Sequence, residues 1–111
     1  MKIDTQSHGA VTVIKPHGAL HQEDADAFRE SLTDVSSRSM GRFIIDMTAI
    51  PFVDSRGLEV LVEASEQMDR SGQTLKLCGT NETSREVFEV TELARLFEHF
   101  DDTTTAVRSF L

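Results

Sequence analysis

The residues with the most chemical potential lie in one segment, Asp46-Met47-Thr48-Ala49-Ile50-Pro51-Phe52-Val53-Asp54-Ser55-Arg56-Gly57-Leu58. Ser55 falls where a helical periodicity begins, and two chemistries suit a serine there. The first is capping: serine and aspartate are the preferred residues at a helix start, where their oxygens satisfy backbone N–H groups left without a partner. The second is phosphorylation. A helix N-terminus offers free N–H groups and the positive end of the helix dipole to a phosphate. Modification would add nearly two negative charges beside Asp54, enough to repel an acidic partner or disturb an apolar contact. The two are compatible, since a capping serine can also be modified. Gly57 removes a side chain, which would let another protein's active site approach. Ile50, Phe52 and Val53 are more apolar than a plain surface loop requires, so they either tuck under the domain or face a partner.

Other constellations point to less. His17 and His21 are four apart, a metal-binding spacing on one helix, but Gly18 lies between them and the segment reads as a strand exit. They are expected to be solvated turn histidines, with no metal. Asp46 and Asp54 suggest a phosphoaspartate pocket, which also needs an early acidic pair and Mg²⁺; that pair is missing. No glycine-rich loop with lysine exists to cradle a nucleotide, so no cofactor and no enzymatic turnover are expected. Cys78 is the only cysteine. It sits in the strand-like run Leu75-Lys76-Leu77-Cys78-Gly79 and reads as a small core residue. Asn81-Glu82-Thr83 is a glycosylation sequon that a cytoplasmic chain would not use.

The elements that position these residues can be read from periodicity. Ile3 to Gln6 reads as a short edge strand turned at His8-Gly9, and Val11-Thr12-Val13-Ile14 as a second strand ending at Pro16 and Gly18. Glu23 to Val35 carries Ala25, Phe28, Leu32 and Val35 at helical spacing, with Glu23, Asp24 and Asp26 complementing the dipole. Ser36 to Gly41 reads as a polar breaker. Phe43-Ile44-Ile45 is a wholly apolar run, expected for a strand covered on both faces and ended by Asp46. Leu58, Leu61, Val62, Ser65 and Met68 mark one face of a second helix, stopped at Ser71-Gly72. Leu75 and Leu77 belong to a further strand, Asn81 to Val90 to a third helix, and Phe97 to Phe100 to a last strand. Ala106, Val107 and Phe110 mark a terminal helix capped near Asp102 or Thr103. Strands alternating with helices imply crossovers and parallel pairing, except between the first two strands, which are too close for a crossover and must pair antiparallel. The fold class is therefore α/β, with a mixed, mostly parallel β-sheet of four to five strands packed with about four helices.

Composition narrows the partners. The 111 residues suffice for one compact domain and not for two. Nineteen acidic residues against eleven basic ones give a net charge of −8, a sign that disfavours nucleic acid and anionic lipid. The N-terminal residues do not read as a signal or transit peptide, and no apolar run approaches the length of a membrane span. With its lone cysteine the chain is expected in the cytoplasm.

The run from Asp46 to Leu58, with its Asp54-Ser55-Arg56-Gly57-Leu58 element, resembles the signature of STAS domains, the anti-sigma factor antagonists of bacteria. Val11-Thr12-Val13 through Gly18-Ala19-Leu20 is similar to that family's second strand and following turn. Gly72 to Leu77 is similar to the approach to its fourth strand, and Val87-Phe88-Glu89-Val90-Thr91 with Leu93 and Leu96-Phe97 to its third-helix region. The resemblance covers nearly the whole chain and implies a single STAS-like domain over residues 1–111. It also implies a switch. The unphosphorylated antagonist binds an anti-sigma factor that is also a serine kinase, phosphorylation on Ser55 releases it, and a serine phosphatase resets it. On this mapping Asp54 orients the site, Gly57 admits the kinase, and the partner-binding surface comprises Phe52, Asp54, Ser55, Arg56, Gly57, Leu58 and His21. The alternative implied by the same resemblance is an unphosphorylated subunit of a lipid-transport ABC complex or a regulatory scaffold. Three positions depart from the family pattern. Arg56 stands where a small residue is usual, His21 where an aspartate caps the first helix, and Glu92 where a glycine follows the third helix.

Overall fold

The β-branched and apolar runs become the strands of one sheet in a computed structural model that describes all 111 residues. β1 (Lys2–His8) and β2 (Val11–His17) form an antiparallel hairpin in which His8 faces Val11, leaving Gly9 and Ala10 as the turn. β3 (Phe43–Asp46), β4 (Leu75–Cys78) and β5 (Phe97–Phe100) follow in spatial order β1-β2-β3-β4-β5, each parallel to the strand before it. The crossovers are α1 (Ala25–Ser39), α2 (Ser55–Arg70) and α3 (Glu82–Val90), and α4 (Thr103–Arg108) closes the chain. This is the mixed, mostly parallel α/β sheet with four helices that the alternation predicts.

Side-chain alternation along the strands divides the core in two. Ile14, Phe43, Ile45, Leu75, Leu77 and Phe97 point to one face, where they pack with Phe28, Leu32, Val60, Leu61, Met68 and Phe88 of α1, α2 and α3. Val11, Val13, Ile44 and Cys78 point to the other face, beneath Ala106, Val107 and Phe110 at the C-terminal helix. β3 is buried at all four positions because both faces are covered. Lys76 helps to hold α4 down: its Nζ lies 2.7 Å from Ser109 Oγ, 2.8 Å from Glu98 Oε1 and 4.5 Å from the centre of the Phe110 ring. Cys78 is the small core residue its context predicts, and burial pushes its thiol pKa up.

Several boundaries differ from expectation. β1 runs the full length of its partner, because a two-residue turn keeps the hairpin in register to the end. β2 continues through Pro16. Its ladder to β3 ends at Ile14, so the missing proline N–H interrupts nothing there. Gln22–Asp24 form a single 3-10 turn before α1 begins at Ala25. The serines expected to break the helix belong to it: Ser39 Oγ donates to the Val35 carbonyl at 2.7 Å, and α1 stops at Met40 and Gly41, both with positive φ. On α2 the buried stripe is Gly57, Val60, Leu61, Ser65 and Met68, with Leu58 and Val62 only half-buried.

Glu92 adopts the left-handed backbone conformation that favours glycine. Its φ is +61°. Leu93 N–H bonds the Phe88 carbonyl at 2.9 Å and Glu92 N–H bonds that of Glu89 at 3.1 Å, the paired bonds of a left-handed helix stop. A glutamate holds this geometry at the cost of backbone strain. Glu92→Gly is therefore expected to stabilise the protein by about 0.5–1 kcal/mol, read as a higher denaturant midpoint with an unchanged slope.

Candidate functional site

Two loops leaving the carboxyl ends of β2 and β3 build the site, the region where open α/β sheets collect their functional groups. Asp46 ends β3 by folding back on its own loop. Its Oδ1 accepts from Thr48 N–H at 3.0 Å and from Thr48 Oγ1 at 2.7 Å. Met47, Ile50 and Val53 then turn inward and are buried. Backbone bonds zip this loop to the one after β2: Gly18 N–H to Ala49 O (3.0 Å), Leu20 N–H to Phe52 O (3.1 Å) and Asp54 N–H to Leu20 O (2.9 Å), with Leu20 and Val53 bridged in parallel. Asn81 holds the loop from the other side. Its Nδ2 donates to the carbonyls of Ile50 and Pro51 at 3.3 and 3.0 Å while its Oδ1 caps α3 through Ser84 N–H at 2.8 Å. A loop tied on both sides leaves Phe52 standing out, 48% exposed. Of the three apolar residues that were open between core and surface, Ile50 and Val53 are core and Phe52 is surface.

The cap of α2 is Asp54, not Ser55. Asp54 has extended backbone angles, and its two carboxylate oxygens serve two elements. Oδ1 accepts from Gly57 N–H at 2.9 Å, and Oδ2 from Gln22 N–H at 3.0 Å. The Gly57 N–H holds the carboxyl below its usual range, helped by the N–H groups of Gln22 and Arg56 and by His21, against opposing desolvation. Because aspartate meets the capping need, Ser55 sits at the first helical position with its side chain exposed. Arg56 Nη1 pairs with Glu59 Oε2 at 3.1 Å.

Gly57 has a reason that differs from the expected one. It is buried, and a Cβ on it would run into the Leu20 carbonyl oxygen and stand 2.8 Å from Leu20 Cβ. Close packing of α2 on the β2 loop requires the glycine; an approaching active site is not needed to explain it.

The structure brings Phe52, Asp54, Ser55, Arg56 and Leu58 together at the start of α2, with Leu58 half-buried against the main core. His21 joins them through the turn that Asp54 anchors. It stands in extended conformation before the 3-10 turn, makes no capping bond, and lies 3.3 Å from Asp24 Oδ2. His17 diverges and pairs with Asp4 of β1 at 2.8 Å. No three His, Cys, Asp or Glu side chains converge on a common point. The anchors Asn81 and Gln22 escape sequence reasoning as parts of the site. Asparagine just before a helix is a visible capping signal, but its grip on a loop thirty residues away is tertiary.

No helix of the chain is long and apolar enough to cross a membrane. A protein of Mycobacterium tuberculosis named anti-sigma-F factor antagonist RsfB is 26% identical over 108 residues, spanning 96% of this chain and 88% of that relative. An anti-sigma F factor antagonist of Paenibacillus polymyxa is 18% identical over 96% of this chain and 92% of its own. Among solved structures, the anti-sigma factor antagonist SpoIIAA in its unphosphorylated form shares the fold with a TM-score of 0.76 at 16% identity, covering 98% of this chain and 96% of that one. The STAS domain profile itself matches residues 2–106, from the first strand through most of the last helix, and this chain belongs to the STAS domain family.

Proposed function

We propose that this chain is a binding regulator of the anti-sigma factor antagonist kind, switched by phosphorylation of Ser55 and not itself an enzyme. In the bacterial cytoplasm its unphosphorylated form binds an anti-sigma factor that is also a serine kinase. Modification of Ser55 releases it, and a serine phosphatase restores it. The observation that carries this reading is the exposed Ser55 at the first position of α2, beside the projecting Phe52 on a loop tied down on both sides. The hydroxyl is open to a kinase, and the surface around it is held ready for a partner. A phosphate there would bring nearly two negative charges to a corner that already holds Asp54 and Glu59. Any partner surface complementary to the unmodified corner would then meet strong repulsion.

The test is intact-mass spectrometry of the protein from its native cells with phosphatase activity blocked, wild type beside Ser55→Ala, together with recovery of bound proteins. Wild type is expected to carry one phosphate-sized mass increase that the variant lacks. The variant is expected to retain an anti-sigma factor that phosphorylated wild type has lost. Ser55 unmodified under every growth condition would sink the switch and leave a constitutive subunit.

A further inference from the structure

The charged groups at the Ser55 corner are the α2 cap Asp54, Arg56 and Glu59 of α2, and His21 and Asp24 of the preceding turn. Both oxygens of Asp54 are taken up by backbone N–H groups. His21 lies against Asp24. Arg56 is placed differently. Its guanidinium reaches down one turn to Glu59, with the Arg56 side chain 43% exposed and that of Glu59 54% exposed. Glu59 is four residues from Ser55, and residues four apart share a helix face. Glu59 is thus a helix-face neighbour of both Arg56, three residues before it, and Ser55, four before it.

Resting on the reading of Ser55 as a phosphoacceptor, we infer that Arg56 is a built-in receiver for the phosphate, exchanging Glu59 for phosphoserine when Ser55 is modified. A phosphate on Ser55 would stand over Glu59 at the spacing where like charges repel. It also offers the guanidinium a dianion in place of a single carboxylate. Arginine binds phosphate through paired donors, and the rearrangement needs only side-chain rotation at an exposed site. The exchange leaves the Glu59 carboxylate without its cation at the same moment that the phosphate appears. Position 56 thus makes the switch a change of two groups. A small residue there would leave the phosphate to act alone.

The experiment installs phosphoserine at position 55 during synthesis by genetic encoding, so its outcome does not depend on any kinase. The phosphate's second ionisation, ordinarily near pH 6, is followed by phosphorus NMR in the otherwise wild-type chain, Arg56→Gln, Glu59→Gln and the double variant. The Arg56 Nε–H resonance is followed alongside. Wild type is expected to titrate about half a pH unit below Arg56→Gln, because a bound cation favours the dianion. The Arg56 resonance should shift on phosphorylation. Glu59→Gln should lower the titration further, and by more when Arg56 is present than in the double variant, because only then does it free a ligand. A phosphate that titrates identically with and without Arg56 overturns the inference. So does equal action of Glu59→Gln in both backgrounds. Failure of the partner switch would leave these titrations unchanged, so the two ideas fail separately.

Discussion

Gly57→Ala is expected to destabilise the protein by about 1–3 kcal/mol, the usual cost of forcing an extra methyl into packed structure. At about 4–5 °C per kcal/mol for a domain of this size, the thermal midpoint falls by roughly 4–15 °C. Intrinsic preference argues the other way, since alanine is favoured over glycine by about 1 kcal/mol inside a helix. The clash wins because of what it strikes. The new Cβ would meet the Leu20 carbonyl oxygen and lie 3.0 Å from the Leu20 carbonyl carbon. Backbone yields less readily than the end of a flexible side chain. Leu20 also cannot retreat freely: its oxygen accepts from Asp54 N–H at 2.9 Å, and its strand bridge to Val53 holds the loop that presents Phe52. Glu59→Ala, on the exposed face of the same helix, should change stability by no more than about 0.5 kcal/mol and serves as the control. A Gly57→Ala protein that melts like wild type but binds its partner poorly would restore the view that this glycine faces outward.

That contrast shows where the sequence is legible and where it is not. Element type follows from local chemistry, so Phe43-Ile44-Ile45 announces a doubly covered strand and Asp102-Thr103 the start of α4, where Asp102 proves to be the cap, its carboxylate accepting from Thr105 N–H at 2.8 Å. Ends are harder. Ser36, Ser37 and Ser39 look like breakers because serine competes for backbone bonds in turns. Here Ser39 spends its hydroxyl on the carbonyl one turn back, and the helix ends only where Met40 and Gly41 turn left-handed. That the motif residues gather at one helix start is readable from the sequence, because Asp54, Ser55 and Gly57 lie within a single helical turn. The division of labour among them is not. Whether serine or aspartate caps α2 depends on which oxygen reaches Gly57 N–H, and whether Gly57 faces in or out depends on Leu20, nearly forty residues earlier. Phe52, Ile50 and Val53 are indistinguishable by composition; the bonds from Asn81 and the β2 loop decide that Phe52 alone projects.

Asp54→Ala is expected to lower the thermal midpoint by about 5 °C, more than the loss of an ordinary surface aspartate, since one carboxylate both caps α2 and ties down the Gln22 turn. Asp54→Asn should fall between the two. The amide oxygen can still accept from Gly57 N–H, but the NH₂ group cannot accept from Gln22 N–H. Acid separates the proteins further. The folded-state pKa of Asp54 lies below its ordinary value of 3.8, so the ionised carboxylate contributes stability that is fully present above that value. The contribution disappears as pH falls through the lower, folded-state value. The stability gap between wild type and Asp54→Asn should therefore be constant near neutrality and close as pH falls below about 4. Asp102 is also held below the ordinary range, chiefly by Thr105 N–H, so both proteins will still lose stability in acid as the α4 cap protonates. Only the difference between them belongs to Asp54. Denaturant melts at several pH values measure it, and parallel curves down to pH 2 would mean that the carboxylate's charge contributes nothing at this corner. Convergence would show that the charge holding the start of α2 and the Gln22 turn is the one any phosphate on Ser55 has to sit beside.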